Sequence, residues 1–133
     1  MNKKNNSITS LHHTAIICSN YEVSKQFYCK ILGLEVLNET YRSERLSYKL
    51  DLALNGKYVI ELFSFPNPPQ RLTQPEAVGL RHIALAVTQL EPLIVHLASN
   101  GCTIEPIRTD ELTGKRFTFT TDPDGLPIEF YEK

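Results

Sequence analysis

The sequence predicts an α+β fold built from one β-α-β-β-β module used twice. Three observations carry this. Strand-like and helical runs occur in the same order on either side of a proline-rich segment, short peptides recur between the halves, and a histidine and a glutamate return at nearly equal intervals.

The first strand is expected over Leu11 to Cys18. Asn20 is placed to cap a helix from about Tyr21 to Leu32, with Val23, Phe27 and Ile31 as its apolar stripe and Gly33 at its C-terminal cap. Strands follow over Leu34 to Tyr41, Leu46 to Leu54 and Tyr58 to Phe65. Asn55-Gly56 makes the last two a hairpin, because both residues accept the positive φ of a tight turn. Pro66-Asn67-Pro68-Pro69 opens a polar stretch reaching Val78, which reads as an ordered loop or linker. The pattern then resumes with a strand over Leu80 to Val87. A helix follows over Glu91 to Asn100, with Pro92 in its first turn, Leu93, Ile94 and Leu97 inward, and Gly101 as its stop. Strands over Cys102 to Ile107, Lys115 to Thr121 and Leu126 to Tyr131 complete it, the last after the turn Asp122-Pro123-Asp124-Gly125. The expected organisation is a single domain over 8–133, with module 1 at about 8–65, a linker at about 66–78 and module 2 at about 79–133.

The repeat extends to individual residues. His13-Thr14-Ala15-Ile16-Ile17 matches His82-Ile83-Ala84-Leu85-Ala86, and Ile60-Glu61-Leu62 matches Ile128-Glu129-Phe130. From His13 to Glu61 is 48 positions, and from His82 to Glu129 is 47.

Bulk properties narrow the function. A chain of 133 residues that is 41% hydrophobic and 22% charged can bury a core of ordinary domain size. A net charge of -1 gives no electrostatic case for nucleic acid or an anionic membrane. No apolar run approaches a membrane span. Met1 to Ser7 is polar and leads into no apolar h-region, so a secretory signal is not expected. Cys18, Cys29 and Cys102 form an odd set without CxxC spacing and are expected to be reduced, in or near the core. These features point to the cytoplasm.

The chemistry-bearing residues are His13, Glu61, His82 and Glu129, one His on the first strand and one Glu on the last strand of each half. Strand alternation puts His13 on the face of Leu11, Ala15 and Ile17, and His82 on that of Leu80, Ala84 and Ala86, both read as core faces. Glu61 shares its face with Val59 and Phe63. Burying a carboxylate without a partner costs several kcal/mol, and a shared cation would compensate two of them if the halves pack about a pseudo-two-fold axis. Two imidazoles and two carboxylates with open positions suit Ni, Zn, Fe, Mn or Co as a divalent ion, and do not suit the all-oxygen preference of calcium. A lone His or strand Glu is usually structural; the duplication is what argues for an ion. His12, alternating with His13, is expected on the opposite side, and His96 exposed or at an interface. Thr109 to Lys115, with Gly114, reads as a flap over the site.

With these segments in view, the chain resembles the vicinal oxygen chelate superfamily, which includes glyoxalase I, bleomycin- and fosfomycin-resistance proteins and extradiol dioxygenases. Phe27-Tyr28-Cys29-Lys30-Ile31-Leu32-Gly33 and Asp122-Pro123-Asp124-Gly125 match motifs common across it. The full His, Glu, His, Glu set resembles glyoxalase I more specifically, in a short bacterial form. The resemblance implies two modules curling into a half-barrel cup, a homodimer that sometimes exchanges modules, and one divalent metal ion on His13, Glu61, His82 and Glu129. It implies a lyase or isomerase acting on a small hemithioacetal or related α-oxoaldehyde adduct, with Glu129 as the better catalytic base and Glu61 the second. The alternative within the family is a small-molecule or antibiotic binding protein without turnover. The chain departs from glutathione-dependent glyoxalase I at Ile17, where an Arg is usual, and at Phe65, where an Asn is usual; Arg42, Arg45, Lys49 or Arg116 are the candidates to compensate.

Overall fold

In the computed structural model, which describes residues 7–133, the halves are two four-stranded mixed sheets. The polar opening segment Met1 to Asn6 lies outside the described residues. The first sheet holds β1 (Thr14–Cys18), β2 (Glu35–Arg42), β3 (Ser47–Leu54) and β4 (Lys57–Ser64) in the order β1-β4-β3-β2. The second holds β5 (Ile83–Val87), β6 (Arg108–Thr109), β7 (Arg116–Thr121) and β8 (Pro127–Glu132) in the matching order β5-β8-β7-β6. In each sheet the outer pair, β1 with β4 or β5 with β8, is parallel and the other pairs are antiparallel.

Local chemistry sets the elements. Helix α1 (Tyr21–Gln26) begins where the Asn20 Oδ1 accepts from the Val23 N–H at 3.2 Å. It widens into a π-turn over Phe27–Ile31, closed by the Leu32 N–H on the Phe27 carbonyl at 2.9 Å. The buried stripe is therefore Tyr21, Ser24, Phe27 and Tyr28 rather than one running through Val23, which is 49% exposed. Asn55 and Gly56 take φ of 52° and 78° in the β3–β4 hairpin. Helix α2 (Leu90–Ser99) buries Leu90 and Leu97 and half-buries Leu93 and Ile94.

The expected strand over Cys102 to Ile107 is the main departure; regular pairing forms instead just past it, at Arg108–Thr109. Pro106 offers no N–H to a ladder. The segment is tied to β7 partly by side chains: the Thr118 and Thr120 hydroxyls donate to the Glu105 and Thr103 carbonyls at 2.6 and 2.7 Å.

The core lies between each sheet and its helix, with Leu50, Leu52 and Leu62 fully buried in the first half and Leu97, Ile128 and Phe130 in the second. The opposite sheet faces are open. Ala15, Ile17, Ala84 and Ala86 are exposed, so the histidine-bearing faces are the open ones, not the core faces; Ile16 and Cys18 turn inward instead. The halves are joined beneath the sheets. Asp122 in the turn before β8 is buried and accepts from the Tyr28 hydroxyl at 2.7 Å. Its neighbour Asp124 takes the Ser19 N–H at 3.0 Å and the Ser19 hydroxyl. The His96 Nε2 meets the Ile31 carbonyl at 2.8 Å. Among the described residues, no helix is long and apolar enough to cross a membrane. All three cysteines are free; Cys18 is buried, and Cys29 and Cys102 are half-buried.

Candidate metal centre

Strand register brings each predicted pair together in the same way. Ala15 lies opposite Glu61 in the parallel β1–β4 pair, and Ala84 lies opposite Glu129 in β5–β8. Residues opposite one another share a sheet face, and so do residues two apart. The histidine just before each first strand therefore stands beside the glutamate of the last. The His13 Nε2 is 3.5 Å from Glu61 Oε1, and the His82 Nε2 is 3.0 Å from Glu129 Oε1. All four side chains are partly shielded, the glutamates more than the histidines.

These separations suit a metal. Neighbouring ligands on an octahedral ion with bonds of about 2.1 Å lie about 3.0 Å apart. Each pair thus offers one imidazole nitrogen and one carboxylate oxygen close to the spacing of adjacent ligands. The two pairs do not meet: among the described residues, no group of three or more His, Cys, Asp or Glu side chains is placed to hold an ion. Each sheet forms its own pair on its own open face, so one chain presents two separate His–Glu pairs.

The half-sites differ in what surrounds the glutamate. Asp51 of β3 stands opposite Glu61. Lys49, on the same face, has its Nζ 3.2 Å from Glu61 Oε2 and 2.7 and 2.9 Å from the Asp51 oxygens. The Tyr58 hydroxyl donates to Asp51 at 2.9 Å, and its ring stacks on His13 at 4.8 Å. The Asp51 and Glu61 carboxylates raise the Lys49 ammonium above its ordinary range. Burial pushes Asp51 up, but the Lys49 and Tyr58 hydrogen bonds outweigh it and hold the carboxyl below its usual range. In the second half Phe119 stands opposite Glu129, and its ring meets His82 edge-on at 5.1 Å. A cavity of about 460 Å³ opens there, lined by His82, Glu129, Phe117, Phe119, Arg71 and Arg108.

His12 was expected on the far side of the strand. Its Nδ1 instead lies 2.8 Å from the Nδ1 of His13. Regular pairing starts only at Thr14, so alternation that still holds for His13 no longer governs position 12. The contact occupies one ring nitrogen of His13 and turns the other toward Glu61. Sequence points to Lys49 only as a candidate to compensate at Ile17 and Phe65, not to its grouping with Asp51 and Tyr58, although a period-two signal is present: Lys49 and Asp51 alternate with the buried Leu50 and Leu52. Arg116 is already engaged by Glu91 and Glu132 and joins α2 to β8. The turn after β6 is closed by the Asp110 N–H on the Lys115 carbonyl at 2.7 Å, and Tyr131 binds both Thr113 and Asp110.

Comparisons with known proteins agree with this fold. Residues 10–130 match the model of the Glyoxalase/Bleomycin resistance protein/Dioxygenase superfamily. The chain is 63% identical over 126 residues to the uncharacterized protein YwkD of Bacillus subtilis (strain 168), covering 95% of this chain and 98% of that one. It is 56% identical over 126 residues to the uncharacterized protein YaeR of Escherichia coli (strain K12), with the same coverage. The crystal structure of a glyoxalase family protein from Enterococcus faecalis superposes with a TM-score of 0.85 at 46% identity, over 92% of this chain and 97% of that one. With duplicated mixed sheets and a match that runs through both halves, the chain belongs to the glyoxalase/bleomycin resistance protein/dioxygenase superfamily.

Proposed function

We infer that the protein is a metal-dependent lyase or isomerase of the glyoxalase I type, whose centre is completed between two copies of the chain. The observation that carries this is the pair of equivalent half-sites, each with an imidazole nitrogen and a carboxylate oxygen 3.0 to 3.5 Å apart on an open sheet face. One chain supplies two donors at each place. His13 and Glu61 of one copy facing His82 and Glu129 of another would supply four, in a closed two-fold dimer. Leu11 and Ile17 beside His13 and Leu80 beside His82 are exposed apolar residues that such an assembly would cover.

His13, Glu61, His82 and Glu129 would hold a divalent ion (Ni, Zn, Fe, Mn or Co), which would supply Lewis-acid polarisation of the substrate. The chain's own residues then divide the remaining work. Glu61 is held at Oε2 by Lys49, which favours a fixed ligand. Glu129 has no lysine hydrogen-bonded to it and lines a cavity with His82, Phe117, Phe119, Arg71 and Arg108, where it can take a proton from the carbon next to a carbonyl and return it to the adjacent carbon. His13 and His82 are anchors.

The test pairs elemental analysis of the purified protein with turnover of the methylglyoxal hemithioacetal of glutathione, then of other thiols. One ion per chain and metal-dependent turnover are expected. Glu129→Gln should lower kcat by roughly 10²- to 10⁴-fold, the usual range for a general base, with the melting temperature little changed. Undiminished turnover in that variant would remove Glu129 from the chemistry, and a folded protein that takes up no metal would favour ligand binding without turnover.

A further inference from the structure

The first His–Glu pair is one link in a closed ring of side chains. The Lys49 Nζ lies 2.7 and 2.9 Å from the two Asp51 oxygens and 3.2 Å from Glu61 Oε2. An ammonium has three N–H donors, so these three contacts use all of them. Asp51 Oδ1 also accepts from the Tyr58 hydroxyl at 2.9 Å. The Tyr58 ring lies over the His13 ring, with centroids 4.8 Å apart and an interplanar angle of 8°. The His13 Nε2, 3.5 Å from Glu61 Oε1, closes the ring.

These contacts orient both donors of the pair. Lys49 takes Oε2 of Glu61 and leaves Oε1, on the His13 side, for an ion. The Tyr58 stack sets the plane of the imidazole, and the His12 ring 2.8 Å from its Nδ1 occupies the other nitrogen. Asp51 and Glu61 stand directly opposite on neighbouring strands, where two carboxylates repel one another. Lys49 between them converts that repulsion into a clamp, and the Tyr58 hydroxyl steadies its far side.

The second pair is built differently. Phe117 and Phe119 hold the places in β7 that Lys49 and Asp51 hold in β3, and Phe119 faces Glu129 as Asp51 faces Glu61. Neither phenylalanine offers a hydrogen-bond donor. The duplication thus keeps the histidine and the glutamate and changes what stands beside the glutamate, which gives the two carboxylates different freedom. We propose that Asp51 and Tyr58 are positioning residues of the metal centre: acting through Lys49, they confine Glu61 to Oε1 and leave Glu129 as the carboxylate able to move. The proposal rests on the metal-centre reading and adds to it two residues that give no donor to the ion.

Cobalt(II) titrated into the chelator-stripped full chain tests it, because its visible absorption reports coordination geometry as well as affinity. Lys49→Met and Asp51→Asn should each weaken cobalt binding by about 10- to 100-fold, the usual cost of losing a group that orients a metal ligand, and both should alter the visible spectrum in the same way. Charge alone predicts opposite signs, since removing the lysine adds net negative charge beside the ion and removing the aspartate takes it away. Tyr58→Phe keeps the ring and loses only the hydroxyl, so it should show the same spectral change with a smaller loss of affinity, and it carries the test if a charge variant does not fold. Lys49→Arg, which can still reach both carboxylates, should recover the wild-type spectrum. Tighter binding in Lys49→Met with weaker binding in Asp51→Asn, or a wild-type spectrum in every folded loss variant, overturns the positioning role and leaves the metal centre standing. A folded wild-type protein that binds no cobalt overturns the proposed function and this inference with it.

Discussion

If each ion is held by His13 and Glu61 of one copy and His82 and Glu129 of another, chains damaged in opposite halves should rescue one another. The perturbation is two double variants, His13→Ala with Glu61→Ala, and His82→Ala with Glu129→Ala. Each pair supplies two donors, 3.5 and 3.0 Å apart, and among the described residues no third His, Cys, Asp or Glu is placed to join either. A dimer of either variant therefore offers two protein ligands per ion and should retain almost no metal. In a mixed dimer the two damaged halves fall together in one site and the two intact halves in the other. Two-fold symmetry then predicts about one ion per mixed dimer against about two for the wild type, with turnover reduced to about half. The assay is co-expression with two different tags, sequential purification of the mixed dimer, and elemental analysis. A mixed dimer without metal, alongside a metal-loaded wild type, would refute the shared-site reasoning and require all four ligands from one chain.

Other consequences are open to simpler measurements. Leu62→Ala, at a fully buried position beneath the first sheet, should lower unfolding free energy by about 2–5 kcal/mol in denaturant titration; a loss under about 1 kcal/mol would mean the core there is looser than described. Tyr28→Phe strips the hydroxyl from Asp122 at the seam between the halves and should cost about 1–3 kcal/mol, read from the same titration. Arg116 draws Glu91 down to about 2 and holds Glu132 below its usual range, and Lys25 does the same to Glu39. Lowered folded-state values stabilise the protein above the unfolded carboxylate range of about 4, and that stability is lost as pH falls through the folded values. Melting temperature should therefore be flat above about pH 5 and fall below about pH 4, with a shallower fall in Arg116→Met; an identical fall in that variant would dismiss the Arg116 cluster as its source. Burial pushes the Cys18 thiol up to about 11, so a disulfide reagent at mild alkaline pH should spare it in the native protein and modify it after unfolding.

The parts of the fold legible in the sequence are those set by neighbours along the chain. Asn20 as a cap, Asn55-Gly56 as a hairpin and Gly33 and Gly101 as helix stops each act through backbone geometry within a few residues, and the structure places them so. The misjudged parts are those where a local rule met a longer-range one. Alternation predicted the wrong side for His12 because regular pairing had not begun. Cys102 to Ile107 has strand-like composition, but Pro106 and the hydroxyls of β7 replace much of its ladder. Val23 follows helical spacing yet lies outside the core, because the π-turn after Gln26 redirects the helix so that Phe27 and Tyr28 both go in.

The repeated His and Glu, nearly equally spaced, determined from sequence alone that each half would carry the same pair, because parallel register between the first and last strands of a module is settled inside that module. What only the tertiary structure decided is how the two pairs stand to one another. That depends on Tyr28 meeting Asp122, Ser19 meeting Asp124 and His96 meeting Ile31, contacts between residues 65 to 105 positions apart that leave no periodic trace in composition. They join the halves beneath their sheets and leave each open face bearing one histidine–glutamate pair. A side chain's face follows from its own strand, whereas what meets that face follows from how whole sheets are docked.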